Sequence, residues 1–315
     1  MLGKMDTRRI KKQLSTSEFG KFIWRLGKNV YRFFNFTILP DEYVATKQFY
    51  GAFGRKPNFR VPRTLNEKLM WMKLYDRERW HSFYADKYAV REYLSQTFGE
   101  EYLIPLLFET TDVSQVKPEN ISEFPCIIKS NHAMAQWQIV RKPEDINWKS
   151  LRRDCKDWLR HNWYDYSKEY QYKYIQPRIV VEKLLETKSG KIPNDYKLHF
   201  INGKLAFVYV SFDREGVNDR VIYDPEWNKL PFSWVPANSY FESMGSSDVP
   251  KPTTFDDMVR IGTEIAKKFP RYIRVDFYDV DGKLYFGEIT FHHGGAMDKF
   301  FPEKYDEIYG KMLIL

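Results

Sequence analysis

The sequence predicts an α+β fold in which helices alternate with antiparallel hairpins. Short apolar β-runs are joined by two tight turn signals, Asn202-Gly203 and Asp281-Gly282, which favour hairpins over parallel crossover connections. Apolar residues at helical spacing recur between these runs, so a doubly wound parallel sheet is not indicated. The 315 residues, 43% of them hydrophobic, suffice for one large domain or two to three small ones with buried cores.

The N-terminal region is predicted to be mainly helical. Within residues 19–34, apolar side chains recur on one face at helical spacing, and basic side chains occupy the other. The apolar face comprises Phe19, Phe22, Ile23, Leu26, Val30, Phe33 and Phe34, and the basic face comprises Lys21, Arg25, Lys28 and Arg32. Such a helix either lies on anionic lipid or packs on the domain with a solvated basic face, and the second case is the commoner.

Two further helices are expected within residues 64–97. The first opens with Thr64 and Glu67 in the pattern of a capping box, and the second runs from about Asp86 to Gln96. The later helical segments are residues 145–168 and Thr253 to Phe269, the second of which ends before Pro270.

Short strands are expected between these helices. They cover residues 102–112, 124–129, 177–185, 195–201 and 204–211, followed by the hairpin that turns at Asp281-Gly282. Residues 212–250 contain scattered Pro, Gly and Ser and are predicted to be loop-rich.

The composition limits the partners and the compartment. A formal net charge of +8 favours an acidic partner, which can be a nucleotide, an anionic polymer, a nucleic acid or a membrane surface. The two cysteines, Cys126 and Cys155, do not make a disulfide framework, and Cys126 lies in an apolar run typical of a buried thiol. No run of about 18 apolar residues and no secretory signal is present, so a cytoplasmic protein is expected.

The last hairpin carries the most informative pattern. Folding at the Asp281-Gly282 turn brings Asp276 and Glu288 towards each other on neighbouring strands. Two carboxylates in apolar surroundings repel unless a cation lies between them, and paired carboxylates suit Mg²⁺ that also binds phosphate. Arg274 shares a strand face with Asp276 and can reach a transferred phosphate. The alternative is an ordinary surface hairpin with solvated acids.

Charged residues at the ends of other elements form weaker local patterns. Lys87 lies at a helix start, and Lys129 ends an apolar strand, where a buried lysine needs an anionic partner. Glu182 ends another apolar strand, while Asp195 and Lys197 open the next one, where they can meet ribose and phosphate. Each pattern alone is also explained by a helix cap or a charged strand tip.

In this order and spacing, these residues resemble the ATP-grasp superfamily, and in particular its teichuronopeptide-synthesis (TupA-like) branch. The resemblance covers roughly residues 40–300. It is carried by Arg63-Thr64-Leu65-Asn66-Glu67-Lys68, Lys73-Leu74-Tyr75-Asp76, Asp86-Lys87-Tyr88-Ala89-Val90-Arg91, Glu101-Tyr102-Leu103-Ile104-Pro105, Lys129-Ser130-Asn131-His132, Asp195-Tyr196-Lys197 and Gly287-Glu288-Ile289-Thr290-Phe291.

The resemblance implies an ATP-grasp fold, in which two α+β subdomains clamp ATP. It implies a helical region at 1–84, a lid subdomain at 85–185 and a C-terminal subdomain with the metal site at 186–315. The implied ATP-binding residues are Lys87, Lys129, Ser130, Asn131, His132, Glu182, Lys183, Leu185, Asp195 and Lys197. The implied Mg²⁺ ligands are Asp276, Glu288 and Thr290, which stands where the family has Asn, and the implied catalytic residues are Arg274, His293 and Gly294.

The resemblance further implies ATP-dependent carboxylate–amine ligation through an acyl phosphate. The expected partners are a uronic acid of an acidic polysaccharide or its precursor, and an amino acid or peptide amine, with possible peripheral contact with anionic membrane and no nucleic acid. A sugar kinase, a glycosyltransferase, and a non-catalytic module that binds glycan or nucleic acid are the alternatives. Asp279-Val280-Asp281 matches the Asp-x-Asp metal-binding motif of many glycosyltransferases, but it occupies the hairpin turn.

Overall fold

A computed structural model of the chain describes residues 38–212, 215–216, 219–236 and 248–315, together with six isolated positions before residue 38. The helix predicted over residues 19–34 lies mostly outside the described residues. Of its positions, Gly20, Ile23, Leu26, Gly27 and Val30 are described and are helical. Within the described ranges, no helix is both long enough and apolar enough to cross a bilayer.

The described helices cluster at the N-terminus and around the sheets. They are α1 (Asp41–Phe53), α2 (Leu65–Tyr75), α3 (His81–Ala85), α4 (Val90–Phe98), α5 (Trp148–Leu159), α6 (Trp163–Ser167), α7 (Phe255–Ala266) and α8 (Lys304–Met312). Single 3₁₀ turns lie at Glu100–Tyr102, Val113–Gln115, Pro118–Asn120, Pro143–Asp145, Tyr170–Tyr172 and His293–Ala296.

The predicted helix ends agree with the structure at some positions and differ at others. The capping box at α2 is confirmed, because the Thr64 side chain accepts from the Glu67 amide and the Glu67 side chain accepts from the Thr64 amide. The helix expected from Asp86 begins only at Val90. Asp86 accepts a hydrogen bond from the amide of Tyr88 at 2.8 Å, which favours a turn over helix at residues 87–89.

The smaller sheet has four short antiparallel strands in the order β1-β4-β2-β3. They are β1 (Leu106–Thr110), β2 (Cys126–Ser130), β3 (Trp137–Val140) and β4 (Ile179–Lys183). Helix α5 covers one face of this sheet, where Leu151 and Cys155 pack with Cys126 and Ile128. Both cysteines are buried free thiols, as predicted for Cys126.

The larger sheet has five antiparallel strands in the order β10-β9-β5-β6-β7. They are β5 (Asp195–Ile201), β6 (Lys204–Phe212), β7 (Asp219–Tyr223), β9 (Tyr272–Val280) and β10 (Lys283–Thr290). Both predicted hairpin turns are present, with Asn202, Gly203, Asp281 and Gly282 all at positive φ. A separate two-stranded sheet pairs β8 (Ser233–Pro236) with β11 (Asp298–Phe301).

The prediction that residues 212–250 are loop-rich misses β7 and β8. Both strands are short, and β7 is set by its pairing with β6, which sequence spacing alone does not reveal. The strand β3 was also not predicted, because its four residues alternate too briefly to give a period-2 signal.

The larger sheet has cores on both faces, which alternate along each strand. On β6, Val208 and Val210 face a core that includes α7, whereas Phe207 and Tyr209 face a core that includes α1, α2 and α8. Gly262 in α7 permits this packing, since a Cβ there would lie 2.7 Å from the Phe200 ring. The start of α4 joins the first of these cores. The domain boundaries at 84/85 and 185/186 stay a prediction.

Candidate active site

A cavity of about 440 Å³ lies between the two sheets. Its lining from the smaller sheet and its loops includes Ile104, Ile127, Lys129, Ser130, Ala133, Met134, Ala135, Gln136, Trp137, Ile139, Glu182, Lys183, Leu184 and Leu185. Its lining from the larger sheet and the connecting segments includes Lys87, Ile192, Pro193, Asp195, Lys197, Asp276, Tyr278, Gly287 and Glu288. The cavity therefore has an apolar end, rich in Ile and Leu, and a charged end.

A β-bulge on the last hairpin forms the floor of the charged end. The register of β9 and β10 shifts between Phe286 and Ile289, so that Gly287 and Glu288 lie opposite Asp276. A Cβ on Gly287 would approach the Asp276 carbonyl oxygen to 3.0 Å, so glycine suits the close contact. The bulge turns the Glu288 carboxylate towards the same space as the Asp276 carboxylate, as the hairpin pattern predicts.

The cation between the two carboxylates is the Arg274 guanidinium. Its Nε and Nη2 donate to the two oxygens of Asp276 at 2.7 Å each, and Nη2 also donates to Oε1 of Glu288 at 2.8 Å. Arg274 and Asp276 are both buried, whereas about a third of the Glu288 side chain, 32%, is exposed. The guanidinium thus holds both carboxylates at the cavity wall in a fixed geometry.

Burial and the neighbouring charges act in opposite directions on these groups. Desolvation raises the pKa of Asp276 above its usual value, although Arg274 and Lys197 oppose that shift. Desolvation acts in the same direction on Glu288, but Lys87, Arg274 and Lys197 outweigh it and lower the pKa of Glu288 to about 2. Glu288 is therefore the carboxylate that stays ionised most readily, and it is also the one nearer the open cavity.

His293 lies behind Arg274 and does not line the cavity. Nη1 of Arg274 contacts Nδ1 of His293 at 3.0 Å, and Nε2 of His293 lies 3.2 Å from Oδ2 of Asp298. A guanidinium only donates, so Nδ1 accepts and the imidazole proton is on Nε2, towards Asp298. Burial lowers the pKa of His293 to about 4, which keeps this neutral form at pH 7. The side-chain contacts of His293 position Arg274, and the catalytic role expected for the backbone of this turn stays a prediction.

Lys197 and Asp195 extend the charged wall along β5. The Lys197 ammonium contacts the Asp195 carboxylate and lies 3.0 Å from Oδ2 of Asp276. The second oxygen of Asp195, Oδ1, is buried and has no hydrogen-bond partner within the described part of the chain. A buried carboxylate oxygen without a partner is costly, so a donor such as a ribose hydroxyl fits this position.

The opposite wall carries one carboxylate between two cations. Glu182, on β4, contacts the Lys129 ammonium at 2.5 Å and the Arg91 guanidinium at 3.4 Å. Lys129 comes from the adjacent strand β2, and Arg91 comes from the first turn of α4. Lys129 therefore has the anionic partner that a lysine at the end of an apolar strand requires.

Lys87 connects the two walls. Its ammonium lies 3.6 Å from Oε2 of Glu288 and donates to the carbonyl of Ala133 at 3.1 Å. Ala133 belongs to the loop between β2 and β3, within the region implied to be the lid subdomain. One cation therefore contacts both the carboxylate floor and the loop above it.

The ATP contact expected of Asn131 and His132 stays a prediction; their side chains are buried and are bonded within the protein. Asn131 donates to Asp86 and to the Gln176 carbonyl at 2.9 Å each, and it accepts from the Arg178 amide. His132 contacts the Asn131 side chain and the carbonyl of His161. Neither side chain lines the cavity, so both hold the base of the loop, and only Ser130 of this run lies at the cavity wall.

Of the three expected metal ligands, the carboxylates of Asp276 and Glu288 line the cavity, whereas Thr290 does not. Thr290 donates to Oε1 of Glu288 at 3.3 Å, but it is buried and does not line the cavity. No group of three His, Cys, Asp or Glu side chains suited to a metal ion occurs in the described ranges. Of the two carboxylates, Glu288 fits Mg²⁺ that takes its other ligands from phosphate, because its Oε2 lies 3.6 Å from the Lys87 ammonium; both oxygens of Asp276 accept from Arg274 and would have to exchange that contact for the metal.

The turn after β10 depends on its glycines. Gly294 and Gly295 have positive φ values of 54° and 63°. A Cβ on Gly294 would also approach the Asp298 carboxylate to 2.3 Å, so a larger residue would displace the Asp298 that faces His293. Gly294 is not among the residues that line the cavity.

A buried ionic cluster behind this turn was not predicted. The Lys73 ammonium, in α2, donates to the Gly295 carbonyl at 3.2 Å and to Gln48 at 3.0 Å. Burial lowers the pKa of Lys73 to about 8, although the buried Glu169 carboxylate opposes this. The sequence signal was the lysine within the apolar run 69–75, which needs an anionic partner when it is buried.

Solved structures to which the chain is similar include three ligases. D-alanine–D-alanine ligase from Bacillus anthracis, complexed with ATP, has 14% identity and a TM-score of 0.39, and the match covers 66% of this chain and 53% of that one. The Helicobacter pylori D-alanine–D-alanine ligase has 14% identity and a TM-score of 0.40, with 74% and 62% covered. The ATP-grasp ligase PsnB, complexed with minimal precursor, has 13% identity and a TM-score of 0.40, with 72% and 59% covered.

The chain thus spans between about half and two thirds of the length of these proteins. A search of curated protein sequences finds no match. The sequence profile of the TupA-like ATPgrasp family matches residues 67–314, which is most of the chain and includes every predicted site residue. On this evidence, and with the α+β architecture and the cavity between two antiparallel sheets, the chain belongs to the TupA-like ATP-grasp family.

Proposed function

We propose that this protein is an ADP-forming carboxylate–amine ligase. Transfer of the γ-phosphoryl group of ATP to a carboxylate oxygen gives ADP and an acyl phosphate. The amine nitrogen then attacks the carbonyl carbon, phosphate leaves, and loss of a proton from nitrogen gives the amide. The carboxylate belongs to a uronic acid of a bacterial surface polysaccharide or its precursor, and the amine belongs to an amino acid or a peptide.

One observation carries the proposal: the bidentate pair of Arg274 with Asp276, shared with Glu288, directly behind the cavity wall that these two carboxylates line. Phosphoryl transfer spreads negative charge over the transferred oxygens, and a fixed guanidinium stabilises that charge without reorganisation. Asp276, Glu288 and His293 fix Arg274 in place. The apolar end, with Ile104, suits an adenine ring.

Lysines on both walls neutralise the remaining phosphate charge. Lys87 and Lys129 line the cavity from the loop side, and Lys197 lines it from β5. Asp276 and Glu288 are the residues that hold Mg²⁺, which supplies charge neutralisation for phosphate oxygens when bound. Lys87 contacts the Ala133 carbonyl, so the loop over the cavity shields the acyl phosphate from water.

The polysaccharide substrate is supported by the family and by charge. Members of the TupA-like branch are associated with the synthesis of bacterial surface polysaccharides. A chain with a net charge of +8 also attracts an acidic glycan. A cytoplasmic location and contact of residues 19–34 with anionic membrane remain part of this proposal. The Asp279-Val280-Asp281 run gives no support to a glycosyltransferase, because Asp279 accepts from Thr254 and Asp281 accepts from the Lys188 amide.

The proposal is tested by a screen for ADP release. Purified protein with MgATP is offered galacturonate or glucuronate oligosaccharides together with single amino acids. We expect ADP release only when a uronic acid is present, and hydroxylamine in place of the amine should give a hydroxamate. Transfer of sugar from a nucleotide-sugar without ATP consumption would contradict the ligase proposal.

A further inference from the structure

A surface cluster of aromatic rings and cations lies outside the cavity. It is formed by Tyr164, Tyr170 and Tyr174 together with Arg77, Arg79 and Lys173, and is called the tyrosine–cation cluster below. Tyr164 belongs to α6, Tyr170 opens the turn at Tyr170–Tyr172, Tyr174 follows that turn, and the two arginines follow α2. Neither the motifs nor the proposed reaction steps use these residues.

The rings and cations of the cluster are in direct contact. The Lys173 ammonium lies 5.0 Å from the centre of the Tyr164 ring and 5.6 Å from those of Tyr170 and Tyr174. The Arg79 guanidinium lies 4.9 Å from the Tyr174 ring centre, and the Tyr170 hydroxyl donates to the Tyr174 hydroxyl at 3.2 Å. Tyr174 is 45% exposed, so its ring and the two cations beside it are open to a ligand.

The cluster has more positive than negative charge. Asp41 is the nearby carboxylate, and it is shared by Arg77 at 2.7 Å, by Lys168 at 3.1 Å and by the Tyr164 hydroxyl. Within the described ranges, no carboxylate lies at ion-pair distance from Arg79 or Lys173. Hydrogen bonding from Tyr170, together with Lys173 and Arg79, lowers the pKa of Tyr174, which agrees with a positive local potential.

The segment that carries the cluster runs next to the charged end of the cavity. Glu169, adjacent to Tyr170, lies 3.8 Å from Nδ1 of His292, two residues beyond the end of β10. The Gln176 carbonyl, two residues beyond Tyr174, accepts from Asn131 at the base of the loop over the cavity. The segment that carries two of the tyrosines is therefore tied to the turn after β10 and to the base of the loop over the cavity.

We propose that the tyrosine–cation cluster binds the acidic glycan next to the uronic acid that is activated. This inference rests on the proposed function and adds a glycan-binding surface to it. The apolar C–H face of a pyranose ring stacks on an exposed tyrosine ring, and carboxylates of neighbouring uronic acids pair with Arg79 and Lys173. An anion without sugar rings satisfies only the second of these contacts.

Calorimetric titration of the full-length protein with a galacturonic-acid oligosaccharide, without ATP, tests the proposal. We expect Lys173→Met and Tyr174→Leu each to weaken binding about tenfold, and Tyr174→Phe to retain it because the ring remains. The matched control is Lys251→Met, since the Lys251 ammonium also lies over a ring, that of Phe255 at 4.6 Å, in a different part of the molecule. The control should bind the oligosaccharide as the wild type does.

Two results would overturn the proposal. One is unchanged affinity in both Lys173→Met and Tyr174→Leu, with circular dichroism showing that they are folded. The other is a poly-glutamate chain that binds as tightly as the oligosaccharide and loses as much affinity in Tyr174→Leu. ADP release by the wild type is measured in parallel with monomeric galacturonate, so failure of the ligase reaction is recognised separately from failure of glycan binding.

Discussion

The two walls of the cavity differ in how they balance charge. The wall from the smaller sheet has one carboxylate, Glu182, between Lys129 and Arg91, and therefore an excess of one positive charge. The wall from the larger sheet sets the carboxylates Asp195, Asp276 and Glu288 against the cations Arg274 and Lys197, and it becomes balanced only with Lys87, the cation that connects the two walls.

The difference indicates that the two walls would bind phosphate in different ways. The wall with excess positive charge attracts phosphate on its own, whereas the wall from the larger sheet gains affinity for phosphate only when a divalent cation joins its carboxylates. Removing a cation from the first wall should therefore weaken nucleotide binding with or without metal. Removing a carboxylate from the second wall should abolish the metal dependence.

The largest expected effect comes from Arg274→Lys. Lysine keeps one charge but cannot contact both oxygens of Asp276, Glu288 and His293 at once. We expect kcat for ADP release to fall by about 10³-fold, the scale of losing a guanidinium from a phosphoryl-transfer site. Arg271→Lys, three residues earlier and paired with Asp76 at 3.0 Å, is the matched control and should stay near wild type. A similar loss in both variants would contradict the role of Arg274.

Glu288→Gln should separate metal binding from folding. The variant keeps the side-chain shape but loses the charge that pairs with Arg274 and Lys87, so its unfolding midpoint should fall while its circular dichroism stays that of the wild type. Its affinity for MgATP should fall about 100-fold, because loss of a charged ligand in a desolvated site costs several kcal/mol. The control is calorimetry with Glu264→Gln, which removes an exposed carboxylate that pairs with Lys267. Unchanged MgATP affinity in Glu288→Gln would remove this residue from the metal site.

Lys129→Met should weaken nucleotide binding about tenfold whether or not Mg²⁺ is present. It also leaves Glu182 with Arg91 alone, and breaking a buried ion pair in this way costs about 3 kcal/mol of folding stability. The double variant Lys129→Met/Glu182→Gln should recover most of that stability without recovering nucleotide affinity. Chemical unfolding together with calorimetry checks both statements, and recovery of affinity in the double variant would show that the charge on Lys129 is not what binds phosphate.

The last expected effect concerns pH. Burial lowers the pKa of His293 from 6.5 to about 4, so the unfolded chain binds its proton first as the pH falls. His293 thus contributes stability that is present above pH 6.5 and is lost as the pH falls towards 4, by about 3 kcal/mol in total. His293→Gln, which can still accept from Arg274 and donate to Asp298, should unfold with a weaker pH dependence in this window. The same pH dependence in both proteins would contradict a neutral, buried His293.

The local parts of this site were predictable from the sequence, and the long-range parts were not. The Asp281-Gly282 turn and the spacing of Arg274 and Asp276 predict the hairpin floor, because turn type and strand period are local properties. The pairing of Lys129 with Glu182, 53 residues apart, depends on β2 and β4 lying side by side.

Asn131 and His132 also make contacts that cannot be predicted from local sequence. Their place after Lys129 predicts contact with phosphate, but residues 176–178, which bury Asn131, are distant in the sequence. Lys73 and Asp298 were missed for a related reason, since each acquires its role only through a contact with the turn after β10.

The central claim is that a carboxylate is activated as an acyl phosphate, and isotope transfer tests it most directly. A uronic acid labelled with ¹⁸O in its carboxylate is incubated with the protein, MgATP and the amine that the ADP screen identifies. The account predicts that the released inorganic phosphate carries one ¹⁸O atom from that carboxylate, as mass spectrometry of the phosphate would detect. Amide formation with phosphate that remains free of ¹⁸O would contradict it.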